Sequence, residues 1–210
     1  MKILIIGSTG GTGRQLVSQA LERSHQVTAF ARNPSKVRVT HDNLRIVRGD
    51  VLDYASVEAA MKGQDAVLCA LGHKRWFIPS SILSQGTGNI IQAMETHGVR
   101  RLVCETSLGI SDSWWRLGLY YTLFVKWFIL YFYFRDKEKQ ERLIKESGLE
   151  WIIIRPGALN NGRKRGVYRH GPRVGHWLWT VRISRADVAD FMLNHLDSTE
   201  YLQSTPGVCW

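Results

Sequence analysis

Cysteine is scarce and poorly placed for a metal or a disulfide framework. Cys69, Cys104 and Cys209 make an odd set without metal-type spacing, and the first two fall in apolar, strand-like runs. That usage points to a reduced, cytoplasmic protein. A strand opening at Lys2 is expected to leave no room for a cleaved leader. Acids are the second shortage, with 18 Asp and Glu against 28 Lys and Arg and a net charge of +10. Such a balance suits nucleic acid, an anionic membrane surface or anionic ligands such as a phosphorylated cofactor, or it is simply a basic, soluble surface. No run has a helix-turn-helix, zinc-finger or RNA-binding aromatic pattern, so no specific nucleic-acid partner is expected. Other chemistries lack their residues as well. There is no Gly-x-Ser-x-Gly nucleophile elbow. The seven histidines, at 25, 41, 73, 97, 170, 176 and 195, form no i, i+4 pair, and no metal is expected. Repeats, linkers and low-complexity tracts are absent too.

What is present begins at once. Residues 3–13 read ILIIGSTGGTG. An apolar run stops at Gly7, Gly10 and Gly13 follow at three-residue spacing, and Leu16, Val17, Ala20 and Leu21 recur at helical spacing. A strand, a glycine turn and a helix form the front of a dinucleotide-binding βαβ unit. Gly7 permits a tight turn, Gly10 lets backbone approach a pyrophosphate, and Gly13 lets helix and strand pack closely. The phosphates then face free N–H groups at the helix start, offered by the stretch Gly7, Ser8, Thr9, Gly10, Gly11, Thr12 and Gly13.

Strand and helix signals alternate after that. Further strands are expected over 26–31, 44–48, 65–71, 101–104 and 151–154. Helices are expected over 54–61, opened by Asp53, over 84–97, closed by Gly98, over 135–147, closed by Gly148, and over about 185–196, capped by Ser184. Alternation of this kind predicts an α/β protein with a doubly wound parallel sheet buried on both faces, in one domain spanning 1–210. Ligands in such sheets bind beyond the carboxyl ends of the strands. Those ends are Gly7–Gly13, Arg32, Asp50 and Val51, Leu71 and Gly72, Thr106 and Ser107, and Pro156 and Gly157.

The second strand is followed by Phe30-Ala31-Arg32-Asn33-Pro34-Ser35-Lys36, without an acid. An NAD site places Asp or Glu there for the ribose 2′-OH, whereas an NADP site places Arg for the 2′-phosphate. Arg32, with Asn33 and Lys36 beside it, therefore favours NADP(H); the alternative is a solvated loop arginine. Asp50 suits either the adenine amino group or the start of the next helix.

The GSTGGTG turn, ARNPSK after strand two and RGDVLD after strand three resemble the atypical short-chain dehydrogenase/reductases. The chain is most similar there to the NAD(P)H-binding group of NmrA-like and biliverdin-reductase-B-like proteins. Glu105–Gly109 (ETSLG), 147–157 (SGLEWIIIRPG) and 183–190 (ISRADVAD) extend the resemblance over nearly the whole chain. It implies a Rossmann fold with a small C-terminal substrate lobe, built here from about 108–134 and 157–182. It also implies NADP(H) as cofactor. Members include reductases, isomerase-like enzymes and non-catalytic redox sensors or assembly factors.

Short-chain dehydrogenases place Tyr and Lys one helical turn apart, so that the ammonium assists the phenol in proton transfer. Tyr133 and Lys137 have that spacing, with Lys137 at the cofactor ribose and Tyr133 as proton donor. Tyr133 also ends an apolar run, where packing is the stronger reading, and the alternative for Lys137 is a solvated helix residue among charged neighbours. Ser107 is the better candidate than Thr106 to orient a substrate carbonyl, since Glu105-Thr106 departs from the usual pair of serines. Residues 117–134 read LGLYYTLFVKWFILYFYF, with one charge, preceded by Trp114-Trp115-Arg116. A span across a membrane would interrupt the sheet. The segment is instead a pocket-lining helix, an oligomer contact or a membrane-surface contact. The basic run Arg163–Arg173 attracts an anionic substrate or is a solvated loop. The expected function is an NADPH-dependent oxidoreductase acting on a small hydrophobic carbonyl or enone compound. The alternatives are a non-catalytic NADPH sensor or assembly factor, and a redox-neutral isomerase or cyclase.

Overall fold

The computed structural model describes residues 1–73, 79–119, 123 and 131–210. Ten strands and five α-helices lie among them. Eight strands form one sheet, in the order β3-β2-β1-β4-β5-β6-β10-β8. These are β1 (Lys2–Ile6), β2 (Gln26–Ala31), β3 (Leu44–Arg48), β4 (Ala66–Cys69), β5 (Arg101–Glu105), β6 (Glu150–Pro156), β8 (Arg169–Gly171) and β10 (Gly207–Cys209). β7 (Ala158–Asn160) and β9 (Arg182–Ser184) pair separately.

The continuous apolar runs have a simple cause. Ile3 and Ile5 of β1 enter one core cluster, while Leu4 and Ile6 enter another on the opposite face. β4 and β6 divide in the same way, with Leu68 and Ile152 on the first face and Val67 and Ile153 on the second. A sheet covered on both sides has no polar alternation to show. Helices α1 (Gly11–Glu22) and α5 (Arg185–Asn194) cover the first face. α2 (Tyr54–Met61), α3 (Ile82–Thr96) and α4 (Tyr131–Glu146) lie on the second. Chain order reverses between β1, which runs outward through β2 and β3, and β4, which runs through β5 and β6. The switch point therefore sits at the carboxyl ends of β1 and β4, where ligands of such sheets bind.

Several boundaries differ from expectation. β4 ends at Cys69, before Leu71, and α5 ends at Asn194. α3 opens two residues early because a neighbour caps it. Its N-cap residue, Ser81, makes no side-chain cap bond. Asp136 of α4 instead accepts from the amides of Leu83 (2.9 Å) and Ser84 (3.1 Å) and from the Ser84 hydroxyl (2.5 Å). α4 includes Tyr131–Phe134, four residues that sequence pattern assigns to the apolar run. The sheet is not wholly parallel either, since β8 runs antiparallel to β10 at the edge. Three-residue strands such as these carry too little periodicity to be seen in sequence.

Two polar knots hold α4 and the C-terminal lobe. Arg155 of β6 donates to both Glu141 oxygens, at 2.9 and 2.6 Å, and to Asp112 at 2.6 Å. Arg155 and Glu141 are buried, and removing one partner of such a pair costs about 3–5 kcal/mol by stranding the other charge. In the lobe, Ser184 caps α5 by accepting from the Asp187 amide (3.0 Å). The Asp187 carboxylate in turn accepts from the amides of Arg165 (2.8 Å) and Gly166 (2.9 Å), the Ser184 hydroxyl (2.9 Å) and the Trp210 indole (2.9 Å). Burial alone raises the Asp187 carboxyl, but these donors outweigh it and hold the group below the usual carboxylate range. A depressed carboxyl adds stability above its unfolded value, about 4, and loses it as pH falls through the folded value. Asp187→Asn is therefore expected to destabilise the protein by about 1–3 kcal/mol at neutral pH. Denaturant midpoints of variant and wild type should converge on acidification below about pH 4. Curves that stay parallel at all pH values would contradict this role.

Candidate cofactor and active site

The glycine turn is built by backbone contact. Gly7 has φ +80°, and a Cβ there would lie 2.4 Å from the Ala70 carbonyl oxygen at the end of β4. A Cβ on Gly13 would lie 2.1 Å from the Gly7 carbonyl oxygen. Gly10 donates to that same oxygen at 2.9 Å, closing the turn. Helix α1 then starts at Gly11, with no side-chain cap and no acid in its first turn. Its first amides are thus left for an anion, which they attract with the positive end of the helix dipole.

Arg185 reinforces this reading, and sequence reasoning missed it. Its side chain lies across Gly11, where a Cβ would meet Arg185 Cδ at 2.3 Å, and it donates to Asn161 Oδ1 at 2.8 Å. A guanidinium beside the positive end of a helix is unfavourable alone and favourable with an anion between them. No local pattern signals the contact, because Gly11 and Arg185 meet only through packing of α1 on α5.

The expected cofactor residues divide into two groups. Arg32, Asn33 and Lys36 lie exposed past β2, where Asn33 caps the 34–36 turn by accepting from the Ser35 amide and hydroxyl. Asp50 and Val51 follow β3. Asp50 accepts from the Leu52 amide (3.1 Å), and Asn89 of α3 donates to the Val51 carbonyl (2.8 Å). Leu71 and Gly72 follow β4, and Thr9 is half-buried in the glycine turn. Other hydroxyls turn inward. Ser8 donates to the Phe30 carbonyl (2.8 Å), Thr12 to Glu105 Oε1 (3.0 Å) and Thr106 to Glu141 Oε1 (2.7 Å). These three serve the scaffold with their side chains. At the end of β6, Leu108 donates to the Pro156 carbonyl and Gly157 donates to the Val208 carbonyl.

Lys137 is 2% exposed and donates to the carbonyls of Leu71 (3.2 Å) and Glu105 (2.9 Å). It thereby clamps the carboxyl ends of β4 and β5 and is not a solvated helix residue. Two of its three donor hydrogens are used. Its ammonium stands 5.8 Å from the centre of the Tyr133 ring, as one helical turn dictates. Tyr133 is half-buried, edge-on to His73 at 5.0 Å, and its hydroxyl would lie 3.6 Å from a Cβ on Gly72. Tyr133 and Lys137 thus both lie at the chain segment that follows β4. Ser107, two residues past the end of β5, is half-buried and donates to the Leu108 carbonyl (2.8 Å). Glu105, in sequence only a departure from two serines, is a buried acid. Burial pushes its carboxyl up, against the pull of Lys137, the Thr12 hydroxyl and Arg185.

His170 and His176 have local partners. His170 bonds the Tyr201 hydroxyl at 2.8 Å, and His176 accepts from the amides of Leu178 and Trp179. Of the apolar segment 114–134, residues 120–122 and 124–130 lie outside the described residues. No helix among the described residues is long and apolar enough to cross a membrane.

Residues 7–199 match the model of the NAD(P)H-binding family. The chain belongs to that family. Its cofactor is NAD(P)H, which the uncapped α1 terminus and the glycine cradle fit. An uncharacterized chloroplastic protein of Arabidopsis thaliana is 32% identical over 206 residues, covering 93% of this chain and 71% of that one. The fold is shared with ChuY, an anaerobillin reductase from Escherichia coli O157:H7, with TM-score 0.82 and 22% identity over 100% of this chain and 97% of that one. It is shared also with a short-chain dehydrogenase/reductase from Veillonella parvula in complex with NADP, with TM-score 0.81 and 17% identity over 100% and 94% of the two chains.

The cradle predicts its own failure. Gly13→Ala pushes a methyl into the Gly7 carbonyl, so NADPH binding measured by nucleotide fluorescence should weaken by about a hundredfold or more. Binding within about twofold of wild type would show that the turn does not hold the cofactor.

Proposed function

We propose that this protein is an NADPH-dependent reductase of a small hydrophobic carbonyl or enone compound. The observation that carries the reading is the Tyr133–Lys137 pair, one turn apart at the segment that follows β4, with the Lys137 ammonium buried and clamped. When bound, NADPH supplies hydride chemistry at that position. The residues of the chain do the rest. The amides opening α1, with Arg185 beside them, hold the pyrophosphate. Arg32, free of acids and exposed past β2, takes the 2′-phosphate, with Lys36 adding charge. Lys137 would hold the nicotinamide ribose with its remaining donor. Tyr133 then gives a proton to the substrate oxygen, which Ser107 orients. The apolar run of residues 114–134, which leads into Tyr133, supports a hydrophobic substrate over a sugar.

A second reading, a non-catalytic NADPH sensor, keeps every cofactor contact and drops the role of Tyr133. One variant separates them. Tyr133→Phe should retain NADPH affinity within about twofold while oxidation of NADPH by quinones, enones or aldehydes falls by about 10²–10⁴. Undiminished turnover would remove Tyr133 from the chemistry. No turnover by the wild type on any such acceptor would favour the sensor. For the cofactor, Arg32→Ala should weaken NADPH by about tenfold or more and leave NADH unchanged, as loss of a guanidinium–phosphate pair requires. An equal loss for both nucleotides would place Arg32 elsewhere.

A further inference from the structure

The described surface carries one group of exposed aromatic residues. Trp114 (55% exposed), Trp115 (45%), Trp177 (58%) and Trp179 (70%) stand out with Leu119 and Leu178. They come from two stretches far apart in the chain that are strapped side by side. Leu117 bridges to His176, and the Leu119 amide donates to the Leu178 carbonyl (3.3 Å). The His176 amide donates to the Arg116 carbonyl (2.8 Å), and the Arg116 guanidinium donates to the Pro172 carbonyl. At Gly118 a Cβ would meet the Trp179 backbone at 2.7 Å, so the two stretches touch main chain to main chain. His176 holds the 176–179 turn by accepting two of its amides. The indoles are therefore presented from a fixed platform.

The two stretches of chain that supply this platform carry charge of one sign. Residues 157–182 contain six Lys and Arg and no Asp or Glu, and residues 114–134 contain two and none, in a chain holding 18 acids. Arg163, Arg165, Arg169, Arg173 and Arg182 are exposed, while Lys164 pairs with Asp190 at 2.7 Å. Exposed tryptophan suits the boundary between headgroup and acyl chain, where an indole buries its ring and keeps its N–H wet. Acid-free basic flanks suit anionic headgroups. A second copy of the chain fits poorly, since face-to-face contact would set like charges together.

We propose that this face docks the protein on the surface of an anionic lipid bilayer, with Trp114, Trp115, Trp177 and Trp179 at the interface. The proposal concerns binding alone and does not rest on hydride transfer. The test is cosedimentation of the full chain with vesicles of phosphatidylcholine alone or with about 30% phosphatidylglycerol, at low salt and in about 0.5 M NaCl. The protein should sediment with the anionic vesicles, remain in solution with the neutral ones, and be released by salt. Replacing two exposed side chains, Trp177→Ala with Trp179→Ala, should weaken partitioning by about tenfold or more while NADPH affinity stays unchanged. Arg173→Glu with Arg163→Glu should weaken it as well and reduce its salt dependence. Indifference to anionic lipid, or undiminished partitioning of the tryptophan variant, would overturn the proposal. So would self-association that the same tryptophan substitutions abolish without any vesicle binding, which would assign the face to a second copy.

Discussion

Backbone-to-backbone contact at the first turn is the constraint on which the molecule depends. The Gly7 carbonyl is approached by Gly13 and bonded by Gly10, and Gly7 itself presses on the Ala70 carbonyl. Three segments, the end of β1, the start of α1 and the end of β4, are thus held closer than side chains would allow. That contact brings an uncapped helix terminus to the point where strand order reverses. Anion binding, cofactor orientation and the position of everything past β4 follow from it.

The same switch point is closed from the other side by a buried cation. Lys137 ties the ends of β4 and β5 together, while its helix is held by Asp136 at the start of α3 and by Glu141 on Arg155 of β6. One face of α4 therefore carries a strand clamp, a helix cap and half of a buried ion pair at positions 137, 136 and 141. This anchoring keeps Tyr133 at the cofactor end of the sheet with little freedom, the kind of support that a proton-transfer group requires.

What could be read beforehand was local. Glycine spacing reports backbone geometry directly, so ILIIGSTGGTG located the turn, and Asp53 and Ser184 marked helix starts that the structure confirms. Tyr133 and Lys137 were legible because one helical turn is a sequence distance. What escaped was contact between distant segments. Thr12 meets Glu105 across 93 residues, and Arg185 meets Gly11 across the packing of α1 on α5. At Ser8, Thr12 and Thr106, cofactor candidates by position, the hydroxyls satisfy buried acceptors, partners that burial selects and spacing does not reveal. Strands β7 to β10 were too short to show a period.

The most direct test of this account is a titration of the unmodified protein with NADPH and with NADH, followed by nucleotide fluorescence. NADPH should bind at least about tenfold tighter than NADH, the preference narrowing as salt screens the 2′-phosphate. Equal affinity for the two nucleotides, or binding of neither, would contradict it.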